Sequence, residues 1–166
     1  MIVPAILYKE EIEKEFQKLA FTDRLMFYDG SIDNAPHEIN LQADWYNYAI
    51  IDEEKELIGY LSYRVDWYAK TVYNFGLINF KGGPAKAMTN AVRETIKHIL
   101  SYKPHRVDFR CVGSNPAKKR YIKICKFIED NYNFKFNYLP MTDAIRTRQG
   151  DWIDCIVFEL ITKEKE

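Results

Sequence analysis

The sequence predicts an α+β protein of three layers, with a mixed, mostly antiparallel central sheet of about six to seven strands and helices on both faces. Two observations carry this reading. Three segments place apolar residues at helical spacing, with charge on the opposite side. The segments between them include runs rich in aromatic and β-branched residues that are apolar on both faces, as strands covered by helices on both sides would be. The chain has 166 residues, no internal repeat and no low-complexity stretch, so a single domain over residues 1–166 is expected.

Taken in order, Ile2–Tyr8 is a short apolar run expected to be the first strand. Lys9–Ala20 follows as a helix, with Ile12, Phe16, Leu19 and Ala20 on one face and Glu and Lys on the other. From Phe21 to Asp44 the periodicity is lost and turn residues appear, with a short helix expected around Asp23–Tyr28. Trp45–Asp52 and Leu57–Val65 read as two strands joined by the charged turn Asp52-Glu-Glu-Lys-Glu56, and Thr71–Phe80 as a third. Ala85–Ser101 carries Met88, Ala91, Val92, Thr95, Ile96, Ile99 and Leu100 on one helical face, and Lys103-Pro104 ends it. Arg106–Val112 alternates as a strand. Gly113-Ser-Asn-Pro116 is then the expected start of a helix reaching about Asn131, which buries Ala117, Tyr121, Ile124, Cys125 and Ile128. Phe134 to about Ile145 and Trp152–Ile161 close the chain as two strands.

Charge and cysteine usage narrow the function classes. Lys plus Arg and Asp plus Glu balance at 24 each, which leaves no global field for a polyanion, so no nucleic acid and no membrane are expected as partners. The longest apolar runs are short and broken by charge. Met1-Ile-Val-Pro4 has neither the basic segment nor the long apolar segment of a secretion signal, and Cys111, Cys125 and Cys155 are odd in number and far apart. Reduced thiols and a cytoplasmic location are therefore expected. His37, His98 and His105 lack metal-ligand spacing, and no metal is expected.

The stretch richest in possible chemistry is Lys81-Gly82-Gly83-Pro84 between a strand and a helix. A glycine turn opening a helix leaves first-turn N–H groups directed at one spot, with the positive end of the helix dipole behind them. An ordinary strand–turn–helix connection has the same sequence appearance.

The order of elements, with this turn in its place, resembles the GNAT superfamily of acyl-CoA N-acyltransferases, over nearly the whole chain. Ser114-Asn115-Pro116-Ala117-Lys-Lys-Arg-Tyr121 and Tyr132-Asn133-Phe134-Lys135 resemble the family's motif after its fifth strand. The chain departs from the usual phosphate loop in its glycine spacing, and Asn133 stands where a glycine is usual. The resemblance implies acyl transfer, most simply acetyl, from acetyl-CoA as donor to a primary amine on a small molecule or peptide, in a ternary complex and without metal. It assigns coenzyme contacts to Ile78, Lys81, Gly82, Gly83, Ala85, Lys86, Ser114, Asn115 and Lys118, with the Lys118-Lys119-Arg120 run near the 3′-phosphate. Tyr121 would be the acid protonating the leaving thiolate; it also reads as a core aromatic with its hydroxyl at the rim. The family often has a glutamate on its fourth strand, but Thr71–Phe80 contains no carboxylate, and Asp66 or Asp154 are the alternatives, each also open to a structural role. Trp45, Trp67 and Tyr68 read either as walls of an acceptor cleft or as buried aromatics. A homodimer is a further possibility, and a non-catalytic coenzyme- or protein-binding module is the alternative function.

Overall fold

Antiparallel strand pairs build both of the compact units into which the chain divides. The computed structural model describes residues 1–20, 38–82, 86–146 and 150–163. Among these residues it has an α+β fold with seven β-strands, mostly in antiparallel pairs, and three α-helices. One unit is Met1–Lys18 with Pro36–Pro104; the other is Leu19–Ala35 with His105–Glu166.

In the first unit the strand order is β1 (Ile2–Pro4), β2 (Trp45–Ile51), β3 (Leu57–Asp66) and β4 (Thr71–Asn79), each antiparallel to the next. The predicted first strand is too long by four residues. Pro4, with its fixed φ and no N–H to donate, ends the ladder, and Ala5–Tyr8 turns into a 3₁₀ segment that leads to α1 (Lys9–Ala20). The helix expected at Asp23–Tyr28 lies outside the described residues.

Strand alternation explains how two helices use this sheet. Tyr60 meets Phe16 of α1 edge-on, with ring centroids 5.2 Å apart, while the neighbouring Gly59 and Leu61 face the other way. On that other side Gly59 lies under Met88 of α2 (Lys86–Ser101), which buries Met88, Ala91, Thr95 and Ile99. Within this unit the helices therefore cover opposite faces, as the doubly apolar strands predict. The β3–β4 ladder slips between Ser62 and Arg64: Ser62 is opposite Gly76, but Arg64 is opposite Tyr73, so β4 carries one extra residue. This is a bulge, and Asn74 sits in it with φ 54°.

The second unit orders its strands β5 (Arg106–Val112), β7 (Trp152–Thr162), β6 (Phe134–Arg146), with α3 (Lys118–Asn131) packed on one face. Helix α3 begins later than the sequence predicts. Asn115 Oδ1 accepts the Ala117 N–H at 2.8 Å and the Asn115 N–H donates to the Val112 carbonyl, closing a turn over residues where a helix start was expected. Ala117, expected to be buried, is the half-exposed cap of the helix instead. Cys125 and Ile128 are buried as predicted.

Candidate functional site

In the first unit the candidate residues lie on the β4–α2 connection. Ile78 is buried on β4 opposite Tyr60, so its side chain belongs to the core. Gly82 takes φ 73°, a left-handed conformation in which a Cβ would be strained. Its N–H donates to Asn79 Oδ1 at 3.1 Å, and the Phe80 N–H donates to the Ile58 carbonyl. Sequence reading missed Asn79, although an Asn three residues ahead of a glycine is a recognisable turn-closing pattern. An anion seated on the Gly82 N–H would have to displace that side chain. Exposed Lys81 pairs with Glu56 of the acidic β2–β3 turn at 3.6 Å; a pair this open is weak and exchangeable. Lys86 is exposed at the first position of α2. Gly83 and Ala85 lie outside the described residues.

In the second unit the β5–α3 turn gathers the remaining candidates. Gly113 donates its N–H to the Asp154 carbonyl at 2.8 Å, and a Cβ there would stand 3.0 Å from Asp154 Cβ. Ser114 is exposed and Asn115 half-buried with its side chain bound to the Ala117 N–H. The Lys118 ammonium donates to the Gly113 carbonyl at 2.8 Å, tying the helix start back to the strand end. Tyr121, half-exposed, meets Phe109 and Phe158 edge-on with centroids 5.4 and 5.9 Å away. Its ring therefore has the packing of a core aromatic.

The alternative bases have local structural work. Asp66 Oδ1 accepts the Ala69 N–H in the β3–β4 turn, and Asp154 Oδ1 accepts the Asp143 N–H at 3.2 Å. All three thiols are buried; burial pushes Cys111 up to about 11 and Cys125 up to about 12, which suppresses the thiolate. Trp67 and Tyr68 are not buried: they stand exposed on the β3–β4 turn, and Tyr68 is wholly so. Trp45 instead lies beneath the Arg64 guanidinium, which also covers Tyr73 and is paired with Asp44.

Sequence reading also missed a phenol–imidazole cluster on the α2 face of β2 and β3. The fully buried Tyr63 hydroxyl shares hydrogen bonds with His98 Nδ1 at 3.1 Å and the Tyr102 hydroxyl at 3.3 Å, and Tyr46 stacks on Tyr63 at 5.2 Å. Burial pushes the Tyr63 phenol far up. Its parts are scattered over three elements, so no local pattern announces it. Among the described residues, no group of three His, Cys, Asp or Glu is arranged to hold a metal, and no helix is long and apolar enough to cross a membrane.

No protein-family model matches the sequence, and no curated protein matches it. Solved structures do match in fold. The chain is similar to a spermidine N-acetyltransferase from Vibrio cholerae in complex with CoA and spermine, with TM-score 0.70 and 9% identity, covering 98% of this chain and 95% of that one. It is similar to an acetyltransferase of the GNAT family from Chromobacterium violaceum, with TM-score 0.65 and 17% identity, covering 97% and 81%. A third acetyltransferase structure matches at TM-score 0.54 and 19% identity over 73% of this chain, which spans only 61% of its length. The fold of the chain is that of the GNAT acetyltransferases.

Proposed function

We propose that the chain is an N-acetyltransferase, working as one domain, that moves the acetyl group of acetyl-CoA directly to the primary amine of a small molecule or peptide. The observation that carries this reading is the fold match over nearly the full chain to an acetyltransferase in complex with CoA and spermine. The glycine turn that leads into α2 supports it. In this reading Lys81, Gly82, Gly83, Ala85 and Lys86 meet the pyrophosphate of the donor, with the backbone near Ile78 alongside its pantetheine arm. Ser114, Asn115 and Lys118 meet the donor from the β5–α3 turn. The neutral amine attacks the thioester carbonyl, the C–S bond breaks, and the Tyr121 phenol gives its proton to the leaving thiolate. The proton shed by the new amide nitrogen passes through solvent to restore the phenol. The buried thiols suit a reducing, cytoplasmic setting. A homodimer is compatible with the reading, and polyamines are the first acceptors to try.

Calorimetry with acetyl-CoA tests the donor. Saturable binding is expected, and no heat at millimolar donor would sink the proposal. With an active acceptor in hand, Tyr121→Phe is expected to lower kcat about a hundredfold or more while donor binding stays unchanged.

The second reading is a coenzyme- or protein-binding module without catalysis. Two features favour it: β4 carries no carboxylate, and the Gly82 N–H is already engaged by Asn79. It prevails if the donor binds but no member of a panel of polyamines, aminoglycosides and peptides is acetylated.

A further inference from the structure

Helix α3 carries five cationic side chains against two acids, in a chain whose total charge is zero. Its first turn holds no acid, so Lys118, Lys119 and Arg120 stand at the positive end of the helix dipole. Lys118 is tied to the Gly113 carbonyl. Lys119, Arg120, Lys123 and Lys126 are exposed and form no ion pair among the described residues. Lys119, Lys123 and Lys126 follow helical spacing along one stripe about 10 Å long. The acids stay in the last turn, and the Glu129 carboxylate is held by the Phe136 N–H at 2.9 Å. Lys119 and Lys123, like charges four residues apart, destabilise the helix unless an anion lies on them, and Lys119 also stands against the dipole.

An exposed aromatic flanks the stripe. Phe127 is 58% exposed, one helical turn beyond Lys123 and next to Lys126, and its ring meets no other aromatic ring among the described residues. Tyr121, Cys125 and Ile128 occupy the opposite side of the helix, turned toward β5 and β7. A membrane would therefore receive a single phenyl ring, too little apolar area to anchor it. Cations with no ion partner among the described residues, beside an exposed aromatic ring, instead match a phosphodiester backbone whose bases are free to stack.

We infer that the outer face of α3 binds single-stranded nucleic acid through Lys119, Lys123 and Lys126 on phosphates and Phe127 against a base. The neutral total charge rules out a field over the whole chain; the stripe is confined to one helix. The inference stands independently of acetyl transfer.

The test is fluorescence anisotropy of the full chain with labelled 12-residue oligouridine and oligothymidine at 50–300 mM KCl. Binding is expected at low salt, with log K falling against log salt at a slope of about −2 to −3. The K119A/K123A/K126A variant should bind at least tenfold more weakly with a slope near zero. Phe127→Ala should weaken binding about fivefold or more and leave the slope unchanged. The two oligomers decide whether RNA or DNA is preferred. Circular dichroism should show unchanged folding for both variants; if the triple variant unfolds, Lys123→Glu alone is expected to abolish binding. The inference is overturned by no anisotropy change at 50 mM salt, by variants that bind like the parent, or by polyglutamate displacing the oligomers as well as unlabelled oligomer does. Binding only to phosphatidylserine vesicles would overturn it. So would parallel loss of CoA affinity in the triple variant with CoA displacing the oligomer, which would return the stripe to the donor's 3′-phosphate.

Discussion

At the scale of single residues, an absent Cβ at Gly59 leaves room for the β4 backbone and for Met88 of α2. A Cβ at Gly59 would stand 2.5 Å from the Ile78 carbonyl oxygen and 2.8 Å from Met88 Sδ. The sulfur sits on a flexible side chain and can swing away; the carbonyl is ladder backbone and cannot. Gly59→Ala is therefore expected to destabilise by about 1–3 kcal/mol, the range of overpacked cores, lowering Tm by roughly 2–4 °C per kcal/mol in a chain of this size. Adding Met88→Ala should not restore the loss. Recovery in the double variant would show that the sulfur, not the backbone, sets the approach. Nothing local in the sequence marks Gly59, because its constraint comes from a strand and a helix that follow later. Gly82 is different. Its place after a strand and before a helix made it legible as a turn, and the structure adds the Asn79 side chain that closes it.

At the scale of elements, composition locates β4 but hides its bulge. Residues 71–80 read as an apolar strand whatever their alternation, and a sequence apolar on both faces gives no cue when one residue is inserted. The sign lies in Asn74, whose φ of 54° suits Asn or Gly and penalises a β-branched residue. Asn74→Val is expected to cost about 1–2 kcal/mol, while Asn74→Gly should match or exceed the parent in urea unfolding. Equal stability for Val and Gly would argue against the left-handed bulge. The late start of α3 has a related cause. Ser, Asn and Pro mark helix caps and tight turns alike, so the choice at residues 113–117 depended on where the Asn115 carboxamide bonded. The sequence around Tyr121 was readable as either acid or core residue, and its packing on Phe109 and Phe158 gives the ring the second role.

At the scale of the whole chain, buried proton-bearing groups in both units make stability depend on alkaline pH. Burial raises the Tyr60 phenol from 10.0 to about 12, and the Cys111 and Cys125 thiols from 9.0 to about 11 and about 12. Each folded pKa lies above its unfolded value, so the contribution is fully present below pH 9 and is lost as pH rises through 9 to 12. In that window the unfolded chain has released protons that the folded chain retains. Tm is therefore expected to hold level to about pH 8.5 and then fall, each titrating group adding a slope of at most about 1.4 kcal/mol per pH unit. Tyr60→Phe removes one of these groups from the first unit and should make the decline shallower. Cys125→Ala should do the same from the second unit. If residues 1–166 unfold as the single cooperative domain expected from the sequence, both variants shift one common transition. Two transitions, each answering to only one variant, would instead assign the two units separate stabilities.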